Sequence, residues 1–134
     1  YLHTKTPVIV HADLKPSNVM VQGPWRKPDA KLLDFGMSRV VSRHAQVSGG
    51  TQGFRAPEVG RSGVKASPAV DIFSLGRILM FLAGARPGVT MPEPWRETVS
   101  ECTSQEPHDR PKAEDIYEKL FRQADDEEDE DGFD

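Results

Sequence analysis

Apolar residues crowd most densely after Ser67-Pro68, where Val70, Phe73, Leu75, Ile78, Leu79, Leu82 and Ala83 cover most of a helical circumference and Gly84 supplies a stop. That pattern predicts a buried helix. Trp95, Val99 and Cys102 recur at i, i+4 and i+7, and Ala113, Ile116, Tyr117, Leu120 and Phe121 at i, i+3, i+4, i+7 and i+8, so two amphipathic helices are expected there. Asp109-Arg110-Pro111 lies between them, with Pro111 suited to the first turn of the last helix. Upstream the helical period is lost. Val19-Met20-Val21 and Lys31-Leu32-Leu33 are short aliphatic runs around the turn-rich Gly23-Pro24-Trp25-Arg26-Lys27-Pro28-Asp29, which predicts a β-hairpin with a longish loop. Ser38 to Gly53 has no sustained period and reads as a functional surface loop, while Ala85 to Pro94 is proline-rich and irregular.

A chain of 134 residues, 37% hydrophobic and 28% charged, suits one folded unit with its own core. The longest apolar run, Ile78 to Ala83, is far too short to cross a bilayer, and no secretory signal pattern opens the sequence. One cysteine, Cys102, allows no internal disulfide and fits a reducing compartment, cytoplasm or nucleus. The net charge of −4 hides an asymmetry, because eight of the 21 acidic residues fall between Asp125 and Asp134. Without them 13 acidic residues face 17 basic ones. The expected division is a folded body over residues 1–122 and a self-repelling, disordered acidic tail over 123–134.

The candidate chemistry sits in three ordered motifs. His11-Ala12-Asp13-Leu14-Lys15-Pro16-Ser17-Asn18 is followed by Asp34-Phe35-Gly36 and then by Ala56-Pro57-Glu58. Each alone is weakly informative; in this order and spacing they resemble the catalytic machinery of the protein kinase family. Asp71 in Asp71-Ile72-Phe73-Ser74-Leu75-Gly76 and Arg110 in His108-Asp109-Arg110-Pro111 add to the resemblance. It implies a mainly α unit with a short β-hairpin, the C-terminal lobe of the α+β kinase fold, with Tyr1 to Thr6 as the end of the helix preceding the catalytic loop.

The same resemblance assigns roles. Asp13 accepts or orients the substrate hydroxyl proton, and Lys15 brings a cation to the γ-phosphate of ATP. Asn18 and Asp34 hold Mg2+ through hard oxygen donors. His11 bonds backbone near the Asp34 turn, which Phe35 and Gly36 complete. Thr51 bonds the base and its lysine, Asp71 bonds the catalytic-loop backbone, and Glu58 pairs with Arg110. Lys15-Pro16-Ser17 resembles the serine/threonine form of the loop, and Gly50 to Glu58 is closest to the tyrosine-kinase-like group. A protein substrate is implied as partner; neither nucleic acid nor a membrane is, and the residues say nothing about oligomeric state.

Departures from the pattern shape the expectation. Ala12 stands where the family usually has the arginine that pairs with a phosphorylated activation loop, so that switch is not expected, and Ser38, Ser42, Ser48 and Thr51, candidate phosphosites in that loop, read rather as solvated hydroxyls. Only ten residues, Ala85 to Pro94, separate Gly84 from Trp95, where relatives place another helix and long loops; this removes a docking surface and exposes part of the preceding helix. No G-x-G-x-x-G loop, strand lysine or helix glutamate precedes Tyr1, so the N-terminal lobe is expected as a missing partner. Two readings follow: the catalytic lobe of a longer serine/threonine kinase, or a pseudokinase or truncated lobe that binds a partner. The joint presence of Asp13, Lys15, Asn18 and Asp34 favours the first.

Overall fold

A computed structural model of the protein describes residues 1–85, 88 and 90–128, with 122–128 as backbone only. Its strands are β1 (Ile9–Val10), β2 (Val19–Gln22), β3 (Asp29–Leu32) and β4 (Arg39–Val40); its helices are α1 (Pro68–Gly84), α2 (Trp95–Cys102) and α3 (Ala113–Glu128). Single 3-10 turns cover Leu2–Thr4, Pro16–Asn18 and Pro107–Asp109. The expected hairpin is β2 against β3, in antiparallel register Val19↔Leu32 to Gln22↔Asp29. Leu33 falls outside the strand, but its N–H still donates to Asn18 O at 2.8 Å.

Two expectations in the first half need correction. Tyr1 to Thr6 is one 3-10 turn rather than a helix end, because its bonds run i to i−3 and Pro7 offers no N–H to continue them. Ser38 to Gly53 is not simply a surface loop. Arg39 and Val40 pair antiparallel with Val10 and Ile9, Gln46 bridges Lys65, and Val47 is buried. Two-residue strands are too short for an alternation to show in sequence.

Pro68 opens α1 with Ser67 extended before it, as the steric demand of a residue preceding proline requires. Val70 and Phe73 join Val10, Ala12, Val47, Ala56, Val59 and Ala66 in one core cluster. Ile72 packs instead with Cys102 of α2 and Ile116 of α3, supported by Leu75 and Leu120. So α1 is the wall shared by two small cores. Its second half departs from the buried helix expected: Met80, Phe81 and Leu82 are exposed, in keeping with the shortened segment that follows.

Lys119 of α3 reaches Glu97 and Glu101 of α2 at 3.1 and 3.0 Å, tying the last two helices together. Pro111 lies before α3 rather than in its first turn, where Lys112 N–H is taken by Asp115 Oδ2. By backbone the helix also runs past Arg122 to Glu128, into the stretch expected as tail. Once Ile116 and Leu120 anchor the helix, each further residue adds a hydrogen bond at small entropic cost. The rest of the expected tail, 129–134, lies outside the described residues.

Candidate active site

Asp71 begins the construction of the site. Buried in the first turn of α1, its carboxylate accepts the N–H of His11 (Oδ2, 2.8 Å) and of Ala12 (Oδ1, 2.8 Å). These bonds hold Ala12 in the left-handed region at φ 68°, a conformation costly for any residue with a Cβ and sustained here by its surroundings. His3 Nε2 donates to the same Asp71 Oδ2 (2.9 Å), a partner that no motif disclosed.

His11 is fully buried. Its Nδ1 accepts the Asp13 N–H at 3.3 Å, which assigns the ring proton to Nε2, and Nε2 bonds Leu33 O at 2.9 Å. The ring also stands 5.0 Å from that of Phe35. His11 thereby joins the loop carrying Asp13 to the end of the hairpin carrying Asp34. Asp34 itself has φ 57°, and its Oδ1 accepts the Gly36 N–H at 3.1 Å, closing the turn. Ser38, expected to be solvated, donates its hydroxyl to His11 O at 3.3 Å.

The reactive cluster is a relay of charge-assisted hydrogen bonds. Lys15 Nζ donates to Thr51 Oγ1 at 2.8 Å, and Thr51 Oγ1 donates to Asp13 Oδ1 at 2.8 Å. Asn18 Nδ2 donates to Asp13 O at 2.9 Å and approaches Asp13 Oδ2 at 3.5 Å; Lys15 Nζ lies 3.4 Å from that oxygen. Burial pushes the Asp13 carboxyl upward, but the bonds from Thr51 and Lys15 and the lysine charge together outweigh it, holding the group below its ordinary value. Asp13 is therefore a carboxylate at neutral pH.

Thr51 can reach Asp13 because Gly50 sits at φ 112°, where a Cβ would lie 3.2 Å from Ala12 O. The segment that follows is fixed from two sides. Glu58 accepts both ends of the Arg110 guanidinium, at 2.6 and 2.9 Å, and Arg110 also donates to Ala69 O and Ser104 O. Burial again favours a neutral acid, and again the arginine wins and depresses the Glu58 carboxyl. Ser74 and Arg77 of α1 donate to Phe54 O and Gly53 O, both at 2.8 Å. Neither was singled out from the sequence; for Arg77 the signal was the one basic residue within α1.

The backbone brings Asn18 and Asp34 to neighbouring positions through the Leu33–Asn18 bond. Among the described residues no cationic side chain pairs with Asp34, and the Asn18 amide nitrogen is committed to Asp13. The Asn18 amide oxygen and the Asp34 carboxylate are each hard donors of the kind Mg2+ takes, an ion that keeps several waters and uses one or two protein oxygens beside phosphate. Among the described residues no group of three or more His, Cys, Asp or Glu is arranged to hold a metal ion.

The family model described as Protein kinase domain matches residues 1–94. The chain is similar to Lectin-domain containing receptor kinase VI.3 of Arabidopsis thaliana, 40% identical over 93 residues, covering 65% of this chain and 13% of that one. It is 32% identical to Receptor-interacting serine/threonine-protein kinase 3 of Rattus norvegicus over 157 residues, covering 89% of this chain and 32% of the relative. A third similarity is to "Probable serine/threonine-protein kinase drkA" of Dictyostelium discoideum, at 31% identity, with 90% of this chain and 22% of that protein covered. This chain thus spans less than a third of the length of each of these relatives.

Proposed function

Because this chain belongs to the protein kinase family, we propose that it is the large, C-terminal catalytic lobe of a serine/threonine kinase, moving the γ-phosphoryl of ATP to a protein hydroxyl. The observation that carries the reading is the Lys15–Thr51–Asp13 relay. Asp13 stands ionised and fixed at both ends, ready to orient a hydroxyl and receive its proton. Lys15, held by Thr51, keeps a positive charge beside that carboxylate, where negative charge gathers during transfer. Asn18 and Asp34 are the residues that would hold Mg2+, which when bound neutralises phosphate charge. Thr51 and the Lys15-Pro16-Ser17 sequence support a serine or threonine acceptor, as do the names of two of the relatives.

The lobe works with a nucleotide-covering partner lobe in this reading. Leu32, Leu33 and Phe35, exposed around Asp34, provide apolar surface for it. A reducing location, cytoplasmic or nuclear, suits the lone thiol.

The test uses the full chain that contains this segment, assayed for transfer of labelled γ-phosphate to protein. Asp13→Asn keeps the shape and removes the proton acceptor, and is expected to lower kcat by at least about 100-fold, the usual contribution of a general base. Equal transfer by both forms removes Asp13 from catalysis.

A further inference from the structure

We infer that Arg77 is a positioning residue, clamping the turn that presents Thr51 to Asp13, an assignment that rests on the kinase reading above. Arg77 is half-buried on α1, and among the described residues no carboxylate lies within ion-pair range of it. Its Nε donates instead to Gly53 O at 2.8 Å, and Nη1 lies 3.8 Å from Met80 Sδ. A charged donor spent on a single backbone carbonyl holds that carbonyl firmly.

The carbonyl belongs to a turn with little other restraint. Gly53 has φ 90°, and a Cβ built there would touch nothing within 4 Å, so packing does not fix the backbone. What fixes it is hydrogen bonding: Phe54 N–H and Arg55 N–H both donate to Thr51 O, at 3.1 and 3.0 Å, and Ser74 Oγ donates to Phe54 O. Ser74 and Arg77 are one turn apart on α1 and hold successive carbonyls. Asp71, a further turn back, holds the amides of His11 and Ala12. One helix therefore carries both halves of the Asp13–Thr51 bond, Asp71 fixing the catalytic loop and Ser74 with Arg77 fixing the turn. Without Arg77 the turn loses its outer tether, and the Thr51 hydroxyl leaves the position from which it bridges Lys15 and Asp13.

The experiment compares wild type, Arg77→Leu and Arg77→Lys in the full kinase chain, by steady-state kinetics, thermal melting and hydrogen exchange resolved to residues 50–58 and 19–32. Arg77→Leu is expected to lower kcat about tenfold, as for one charge-assisted hydrogen bond, with KM for ATP unchanged. Exchange should quicken in 50–58 and not in 19–32. Lysine, which retains a charged donor, should recover most of the rate. Unchanged kcat and exchange in Arg77→Leu overturn the assignment, and so does a loss matched by faster exchange in 19–32 and a lowered melting point. If the wild-type chain transfers no phosphate, the kinase reading falls, while exchange still decides the clamp: quickening confined to 50–58 upholds it and no change rejects it. Should the leucine variant not fold, Arg77→Gln, with a shorter neutral amide, is measured against the same expectations.

Discussion

Glu58 and Arg110 show what a buried charge pair demands. The Arg110 side chain has no exposed surface and that of Glu58 only 10%, so removing either partner strands the other charge in the interior. Glu58→Ala and Arg110→Ala are each expected to cost about 3–5 kcal/mol in denaturant unfolding, with the double variant well short of the sum. Additive costs would mean that the two do not act as a pair. The same contact sets a pH dependence. The folded Glu58 carboxyl is depressed, so its contribution is fully present above the ordinary glutamate value, about 4.3, and is lost as pH falls through the lower folded value. Stability should hold level from neutral pH to about pH 5 and then fall, with Glu58→Gln flattening that acid limb. At this scale the sequence was most legible, because the family resemblance that the motifs carry implies a partner for each of several residues in them. Asp13, Thr51, Glu58, Asp71 and Arg110 all have the contacts that the resemblance implied for them. The left-handed backbone of Ala12 was not legible, since alanine carries no mark of it; His3 and Arg77 were not, since no motif names a partner for either.

Helix α1 carries more of the molecule than any other element, and Gly76 lets α2 approach it. A Cβ at Gly76 would lie 2.8 Å from both Cys102 Cβ and Thr103 Cγ2. Gly76→Ala should gain about 1 kcal/mol in helix propensity yet lose more to overpacking, because those neighbours are short and backbone-anchored. A net loss of about 1–2 kcal/mol in thermal or urea unfolding is expected. Gly84 is the control: a Cβ there meets nothing, and the same substitution should leave stability level or raise it. The helices were legible as elements because their apolar periods are long. Their burial was less so. Periodicity assigns Tyr117 and Phe121 to an apolar face, yet both are exposed, Phe121 meeting Trp95 edge-on at 5.4 Å. A period says which residues share a face, not whether another element covers it. The β1–β4 pairing escaped for the opposite reason, being two residues long.

Taken whole, the molecule divides its work between two small cores on either side of α1, one beneath the catalytic loop and one beneath α2 and α3. The sequence foretold the family, the β2–β3 hairpin and the three helices, but not this partition, which depends on contacts remote in the chain. Cys102 belongs to the second core, has no exposed surface, and burial pushes its thiol up to about 11. An alkylating reagent at neutral pH therefore has almost no thiolate to attack while α2 rests on α1. The chain's lone sulfhydryl is a built-in clock for that interface: its labelling half-time, followed against denaturant, should track the opening of the helical core and stay indifferent to movements around Asp13.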